Sequence, residues 1–298
     1  MSIIARGKIK QGAQQMAYPL IENISGSLIF LNGEFYDADS PEALALKEPY
    51  ASLSYYETLR LIGNTPLFIE EHMARLDKSV ASDPDADISL AGLVDDIRTF
   101  LKAVPDPKQS SLRIVVADKI RLIHYVDIAL PTEEDFRYGV RTASLCWERE
   151  DPNIKAFRGD YKSAVAKVFE DTGAFEVILA DNDGNLYEGS KSNFFAVIDG
   201  AVYSAPDNKI LIGITRKRVM EALRSLDLKL QTGMFTLNEL KEHGAAMFVS
   251  STPFDILPIA SVDGIDFDSA ENAVVKEIMN AYKASQMRYI DENNFLEA

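Results

Sequence analysis

The sequence predicts a mixed α/β protein of two domains, and three observations support that class. The chain has 298 residues, 47% of them hydrophobic, which is enough to form one large core or two ordinary ones. Segments with strand alternation and segments with helical spacing follow one another along most of the chain. Pro131 and a cluster of acidic residues break this pattern between Asp127 and Arg137. We therefore expect one domain over residues 1–130 and a second over residues 131–298.

The first domain is expected to open with a β-hairpin, because Asn32-Gly33 separates two apolar runs. Acidic residues in the first turn favour a helix that begins at Glu70. Residues 1–25 lack periodicity and predict no element. The predicted elements are a hairpin at Leu28–Tyr36, a strand at Ser52–Ile62, helices at Glu70–Ala81 and Leu90–Val104, and strands at Leu112–Ala117 and Leu122–Leu130.

The second domain is expected to contain a helix followed by a hairpin, whose turn is Asp181-Asn182-Asp183-Gly184. Helical spacing farther along places Gly213-Ile214-Thr215 at a helix N-terminus, where unpaired N–H groups favour an anion. The predicted elements are strands at Gly139–Trp147, Phe175–Ala180 and Ala245–Val249, a strand that ends at Glu188–Asn193, a third strand directly after it, and helices at Asp160–Thr172, from Gly213 onward and at Ser269–Tyr289.

Composition limits the partners and the compartment. The formal net charge of -15 disfavours nucleic acid, because binding to a phosphate backbone is driven by concentrated Lys and Arg, and it disfavours anionic lipid as well. No apolar run is long enough for a membrane span, and the N-terminus lacks the features of a signal peptide. The single cysteine, Cys146, cannot form an internal disulfide. We expect a cytoplasmic protein that binds small molecules.

Two polar residues flank the helix and hairpin of the second domain. Lys155 precedes the helix, and Glu188 follows the hairpin at the start of a run of small polar residues. Taken singly, a lysine is most often a solvated surface residue, and a Glu-Gly-Ser sequence is most often a turn. Together, an amine and a carboxylate are what a bound aldehyde cofactor would need. No paired Cys/His spacing typical of a metal site occurs, so no metal is expected.

Three motifs together resemble the core of the class IV aminotransferases. They are Asn153-Ile154-Lys155, the apolar run Phe175–Leu179 that begins twenty residues after the lysine, and Glu188-Gly189-Ser190-Lys191-Ser192-Asn193-Phe194. This family of fold-type IV pyridoxal-phosphate enzymes includes branched-chain aminotransferases, D-amino-acid aminotransferases and aminodeoxychorismate lyases. The resemblance extends from about Gly26 to about Ile265. It implies a small N-terminal α/β domain, a larger C-terminal pseudo-barrel α/β domain, pyridoxal 5'-phosphate as the cofactor, and a homodimer.

The resemblance also implies roles for individual residues. Lys155 would form a Schiff base with the cofactor aldehyde and then carry the α-proton, and Glu188 would hold the ring nitrogen. Arg75 would bind the phosphate, because a guanidinium matches phosphate oxygens. The alternative for Arg75 is a surface arginine paired with Glu71 or Asp77. The remaining candidates are Ile214, Thr215, Ser251 and Thr252 for the phosphate, Tyr161 for the ring oxygen, and Tyr56 and Pro253 for the substrate.

Several of these positions have a second interpretation or depart from the family. Tyr56 could simply fill the face of a sheet, and Thr215 could be an ordinary helix cap. Tyr161 lies one residue farther from the lysine than the corresponding tyrosine of branched-chain members. Ser52-Leu53-Ser54 stands where the family usually has Gly-Asp-Gly. Pro253 stands where the family offers a backbone N–H to the substrate carboxylate, and proline has none.

The implied reaction is transamination through Lys155, between an amino acid, branched-chain-like or of the D series, and a 2-keto acid. An aminodeoxychorismate lyase uses the same cofactor contacts for a β-elimination, and it is the alternative enzyme. A cofactor-free binding protein on the same fold is the alternative outside the enzymes.

Overall fold

The computed structural model of the protein describes residues 18–83, 87–104, 111–149, 154–155 and 159–297. Contacts group them into two compact units. The first unit contains the described residues of 18–129 together with 154–155, 159–160 and 286–297, and the second contains those of 130–149 and 161–285. Two segments of the predicted second domain thus belong to the first unit, because Ile154 and Phe295 pack against its core. Asn153 of the lysine motif and the residues before Tyr18 lie outside the described residues.

The first unit is a six-stranded antiparallel sheet with helices packed against it. The strand order is β3-β2-β8-β7-β5-β6, and β1 and β4 pair separately. Its elements are β1 (Tyr18–Pro19), β2 (Ser25–Leu31), β3 (Glu34–Asp37), α1 (Pro41–Ala45), β4 (Pro49–Tyr50), β5 (Tyr55–Ile62), β6 (Thr65–Pro66), α2 (Ile69–Ala81), α3 (Leu93–Ala103), β7 (Ser111–Ala117) and β8 (Ile120–Val126).

The predicted hairpin is confirmed. Asn32 and Gly33 both have positive φ, 51° and 92°, which a two-residue turn between antiparallel strands requires at both positions. Strand β8 ends at Val126 rather than at the predicted Leu130, because the N–H of Asp127 leaves the ladder and donates to Asn23 Oδ1 at 3.1 Å.

Helix α2 is held at its N-terminus by the last part of the chain. It begins after Phe68, which has a left-handed conformation and provides no side-chain cap. The Tyr289 hydroxyl accepts a hydrogen bond from the Ile69 N–H at 3.3 Å and donates to Glu70 at 2.8 Å. The helix buries Leu76 among apolar residues of α3 and β5. These contacts fix the orientation of the helix that carries Arg75.

The second unit contains a ten-stranded sheet with the order β14-β13-β12-β16-β17-β9-β10-β11-β15, and β18 pairs with β17. Its elements are α4 (Glu133–Tyr138), β9 (Val140–Cys146), α5 (Gly159–Thr172), β10 (Glu176–Ala180), β11 (Asn185–Gly189), β12 (Asn193–Ile198), β13 (Ala201–Ser204), α6 (Ile214–Ser225), β14 (Leu230–Thr232), β15 (Phe235–Thr236), α7 (Leu237–Glu242), β16 (Ala246–Ser251), β17 (Asp255–Val262), β18 (Ile265–Asp266), a 3₁₀ turn at Ser269–Glu271 and α8 (Ala273–Glu292). The first two residues of α5 and the last seven of α8 belong to the first unit.

An additional pairing closes part of this sheet. Strand β11 pairs with β12 as well as with β10, so that β12, β16, β17, β9, β10 and β11 form a ring. Buried side chains fill the ring, among them Ile178, Phe194, Val249 and Leu257. The ring is the pseudo-barrel that the resemblance implies, and the predicted mixed α/β class is confirmed.

The predicted helix and hairpin of the second unit are confirmed as α5, β10 and β11. The acidic cluster at the predicted domain boundary is itself helical, since Thr132 and Asp135 form a capping box at the start of α4. The last helix begins at Ala273 rather than at Ser269, after the 3₁₀ turn. No helix in the described ranges is long and apolar enough to cross a membrane.

Candidate active site

Lys155 lies against Tyr56 in the first unit. Its Nζ is 4.6 Å from the centre of the Tyr56 ring, and the Tyr56 N–H donates to the Lys155 carbonyl at 3.3 Å. Burial lowers the pKa of Lys155; Tyr56 and Glu57 oppose this change, whereas Arg75 adds to it. Because the pKa is lowered, more of the amine is neutral near pH 7 than in a solvated lysine. A neutral amine is the form that attacks an aldehyde.

Arg75 is paired with a buried carboxylate of the same unit. Its Nε donates to Glu57 Oε1 at 2.8 Å and its Nη2 to Glu57 Oε2 at 2.5 Å. The predicted alternative, a surface arginine bound to Glu71 or Asp77, is therefore wrong. Nη1 of Arg75 has no hydrogen-bond partner among the described residues. The two bonds to Glu57 fix the plane of the guanidinium and leave Nη1 for another anion.

Glu57 also accepts a hydrogen bond from His72 Nδ1 at 2.6 Å, and both side chains are fully buried. Burial alone would raise the pKa of Glu57, but Arg75 and then His72 outweigh it and lower the pKa to about 2. Burial lowers the pKa of His72 as well, so the ring is neutral near pH 7. Since Nδ1 donates to an ionised carboxylate, Nε2 carries no proton, and it has no partner in the described part of the chain.

Glu188 is the buried carboxylate of the second unit, 2% exposed near the end of β11. Its Oε2 accepts from Arg149 Nη1 at 2.8 Å, and its Oε1 accepts from the Leu211 N–H at 2.8 Å. A guanidinium thus binds one oxygen and a backbone amide binds the other. Bonds on both oxygens also hold the carboxylate in one orientation.

The turn after Glu188 is fixed by a second acid. Glu176 is fully buried on β10 and accepts from the hydroxyls of Ser190 at 2.6 Å and Ser192 at 2.8 Å. The Gly189 N–H donates to the Ser192 carbonyl at 2.8 Å. A Cβ at Gly189 would overlap Ser192 Oγ, so any larger residue would displace the Ser192 hydroxyl from its bond to Glu176. These bonds set the path of the chain between Glu188 and β12.

Helix α6 begins directly beside this turn. Gly213 is the N-cap and supplies no side-chain bond, so the alternative in which Thr215 caps the helix is wrong. The N–H groups of Ile214 and Thr215 have no acceptor among the described residues. Two such amides at the positive end of a twelve-residue helix are donors of the kind that favour an anion.

Leu211 connects the start of α6 to the carboxylate. Its N–H binds Glu188, and its carbonyl accepts from Asn193 Nδ2 at 2.8 Å. A Cβ at Gly213 would overlap Asn193 Oδ1. One short segment therefore connects the Glu188 carboxylate to the N-terminus of α6, within a single unit.

The other candidates have the following contacts. The Tyr161 hydroxyl donates to the Ser190 carbonyl at 2.8 Å, and its ring lies 5.8 Å from that of Trp147. The Ser251 hydroxyl donates to the Lys191 carbonyl at 2.7 Å. Thr252 and Pro253 lie in the turn between β16 and β17, where Thr252 is half-buried and Pro253 is buried.

The structure thus brings Lys155, Tyr56 and Arg75 together in the first unit. It brings Glu188, Tyr161, Ile214, Thr215 and Ser251 together in the second.

Sequence reasoning missed the residues that hold these groups, chiefly Glu57 and Arg149. Glu57 had a detectable signal, because an acid at an inward position of β5, between Tyr55 and Leu59, must be paired when it is buried. Arg149 gave no such signal, because an arginine shortly after a strand is usually a surface residue.

Comparisons with known proteins identify the family. A family model described as amino-transferase class IV matches residues 54–262. The D-alanine aminotransferase of Bacillus licheniformis is 26% identical over 251 residues, which cover 77% of this chain and 86% of that protein. The crystal structure of the branched-chain amino acid aminotransferase of T.th., with pyridoxamine 5'-phosphate, has a TM-score of 0.71 and 21% identity, and the match covers 91% of this chain and 97% of that one.

A third similar protein, a proposed 4-amino-4-deoxychorismate lyase of known structure, has a TM-score of 0.65 and 25% identity over 84% of this chain and 96% of its own. The family model spans well over half of the 298 residues. The protein is a transaminase, and the chain belongs to the class IV aminotransferase family.

Proposed function

We propose that this protein uses pyridoxal 5'-phosphate to move an amino group between an amino acid, branched-chain-like or of the D series, and a 2-keto acid. The observation that carries the proposal is Lys155, a lysine with a lowered pKa that lies on a tyrosine ring at the family's lysine position. When bound, the cofactor supplies an aldehyde for the amino group and a ring that withdraws electrons from the α-carbon.

The residues present fit the phosphate of that cofactor. A phosphate dianion needs several convergent donors, and the unpaired N–H groups of Ile214 and Thr215 are donors of that kind. Arg75 would donate to the phosphate through Nη1, because Nε and Nη2 each donate to Glu57. The overall charge of -15 repels an anion, so affinity for a phosphate must come from such local donors. Thr252, whose hydroxyl has no partner among the described residues, would contribute a further donor, whereas the hydroxyl of Ser251 is already used.

Glu188 fits the ring nitrogen. It is buried and held in orientation by Arg149 and Leu211. A carboxylate accepts about four hydrogen bonds in all, and the ring N–H would donate one of them. Tyr161 fits its proposed role less well in this conformation, because its proton is directed at the Ser190 carbonyl. It would need to turn away from Ser190 to donate to the ring oxygen.

Lys155 would act twice. As a neutral amine, Nζ would attach the cofactor, and after displacement by the substrate amine it would take the proton from the α-carbon and return it to the carbon of the cofactor's aldehyde group. A lysine whose pKa is lowered towards the working pH can both accept and release that proton. The half-buried ring of Tyr56 limits the directions from which water can reach Nζ.

Reduction with borohydride tests the covalent role of Lys155. The purified protein is incubated with pyridoxal phosphate, reduced and digested, and the modified peptide is identified by mass spectrometry. We expect the adduct on Lys155 in the wild type and no adduct at this position in Lys155→Ala. The matched control is Lys102→Ala, which removes an exposed lysine of α3 and leaves the adduct unchanged. An adduct spread over several surface lysines would contradict the proposal.

A β-elimination of aminodeoxychorismate is the second candidate. It is favoured by Pro253, which cannot offer a backbone N–H to an amino-acid carboxylate, and by the similarity to the proposed lyase. The two activities differ in their products, because elimination needs no keto-acid acceptor. Turnover of aminodeoxychorismate without an added keto acid, together with no transfer from any amino acid, would favour the lyase.

Two further expectations remain proposals. We expect a homodimer, as in the family, which light scattering of the purified protein would test. We also expect a cytoplasmic location, which fractionation of expressing cells would test.

A further inference from the structure

We propose that Arg149, through its contact with Glu188, sets how strongly this carboxylate attracts a proton on the ring nitrogen of the cofactor. This inference rests on the proposed function. It makes Arg149 a positioning residue, which acts through Glu188 and need not touch the cofactor itself.

The contact is short and mostly shielded from water. Arg149 Nη1 lies 2.8 Å from Glu188 Oε2, and the two side chains are 15% and 3% exposed. The guanidinium carbon also lies 5.9 Å from the centre of the Tyr161 ring. Tyr187, which follows Leu186 on β11, donates its hydroxyl proton to the Trp147 carbonyl at 2.6 Å and so helps to fix the segment after β9 that carries Arg149.

Arg149 and the Leu211 N–H affect Glu188 in different ways. An ionised carboxylate has about four lone-pair positions, and the Leu211 N–H and Arg149 bind one oxygen each. Bonds on both oxygens prevent rotation of the carboxylate, so its lone pairs point in fixed directions. The amide contributes only a dipole, whereas Arg149 contributes a full positive charge.

That charge has a defined effect on a ring nitrogen held by Glu188. A carboxylate alone favours the protonated, positive ring, because opposite charges attract. A guanidinium on the same carboxylate disfavours it, since a second positive charge would then be held close to the first. The effect is large where water is excluded, because the effective dielectric constant is low. Arg149 therefore moderates the proton affinity of the ring nitrogen.

Removing the charge tests this directly. The protein is loaded with pyridoxal phosphate carrying ¹⁵N in the ring, and the nitrogen chemical shift is recorded for the wild type, Arg149→Gln, Arg149→Lys and Arg224→Gln. We expect Arg149→Gln to move the signal towards that of a protonated pyridine. Arg149→Lys keeps the charge and should leave the signal near the wild-type position. The control Arg224→Gln removes an exposed arginine of α6 and should have no effect.

Each outcome decides the matter. A loaded Arg149→Gln protein with the wild-type signal overturns the inference and leaves the proposed function standing, because a merely structural residue would alter thermal stability without moving this signal. If Arg149→Gln does not fold, the neutral variant Arg149→Met is measured in its place: a signal displaced towards that of a protonated pyridine supports the inference, and the wild-type signal overturns it. A wild-type protein that gives no bound signal at all overturns the proposed function and this inference with it.

Discussion

The replacement Glu57→Gln should destabilise the first unit in a pH-dependent way. Glu57 is fully buried, and its pKa is about 2 in the folded protein against 4.5 for an unperturbed glutamate. At about 1.4 kcal/mol per pKa unit, this difference corresponds to about 3 kcal/mol of folding free energy at pH 7. The same order of magnitude, about 3–5 kcal/mol, is typical when one partner of a buried ion pair is removed.

The sign of the pH dependence follows from the lowered pKa. A carboxyl whose pKa is depressed on folding contributes stability above its unfolded value of 4.5, and loses it as the pH falls towards about 2. By pH 3, about 2 kcal/mol of the contribution should be gone. The difference in unfolding free energy between the wild type and Glu57→Gln should therefore shrink from about 3 kcal/mol at pH 7 to about 1 kcal/mol at pH 3.

Hydrogen exchange in urea, read on peptides from β5 and α2, measures this difference within the first unit. Local probes are needed because a chain of two units need not unfold in one step. The matched control is Glu48→Gln, an exposed acid of the same unit, for which we expect a change below about 0.5 kcal/mol. A Glu57→Gln protein as stable as the wild type, or a difference that is equal at both pH values, would refute the reasoning.

Three further predictions concern the contacts that hold the site. Tyr289→Phe removes the hydroxyl that binds the N-terminus of α2, and it should cost about 1 kcal/mol in urea unfolding of the first unit without altering the second. Gly213→Ala should weaken pyridoxal-phosphate binding in a fluorescence titration, because its Cβ overlaps Asn193 Oδ1; unchanged affinity would speak against the α6 anion site. Ser192→Ala leaves the buried Glu176 with one donor fewer and should lower the unfolding free energy of the second unit by about 1–3 kcal/mol, and an unaltered value would argue against that network.

The sequence predicts best those features that depend on neighbouring residues. The Asn32-Gly33 hairpin, the helix α5 and the hairpin of β10 and β11 follow from turn chemistry and periodicity, and the structure contains all of them. The short helices α1, α4 and α7 were not predicted. Each has only five or six residues, which are too few for a periodic pattern. The capping boxes at the start of α4 and α7 can, however, be recognised in the sequence.

The partners of the candidate site residues could not be predicted, because they are distant along the chain. Arg75 is 18 residues from Glu57, and Arg149 is 39 residues from Glu188. The residues near Arg75 in the sequence suggest only the acids Glu71 and Asp77 as its partners. This prediction is wrong, because Arg75 binds Glu57. The roles of Lys155 and Glu188 came from the resemblance, since each residue alone has an ordinary interpretation.

The most direct test of the proposed transamination is the half-reaction of the loaded protein. The visible absorbance of lysine-bound pyridoxal phosphate is followed in the absence of any keto acid while L- and D-amino acids are added one at a time to the wild type and to Lys155→Ala. The account predicts that one class of amino acid bleaches the wild-type band, that a 2-keto acid restores it, and that Lys155→Ala does not turn over. A band that no amino acid bleaches would contradict transamination by this site.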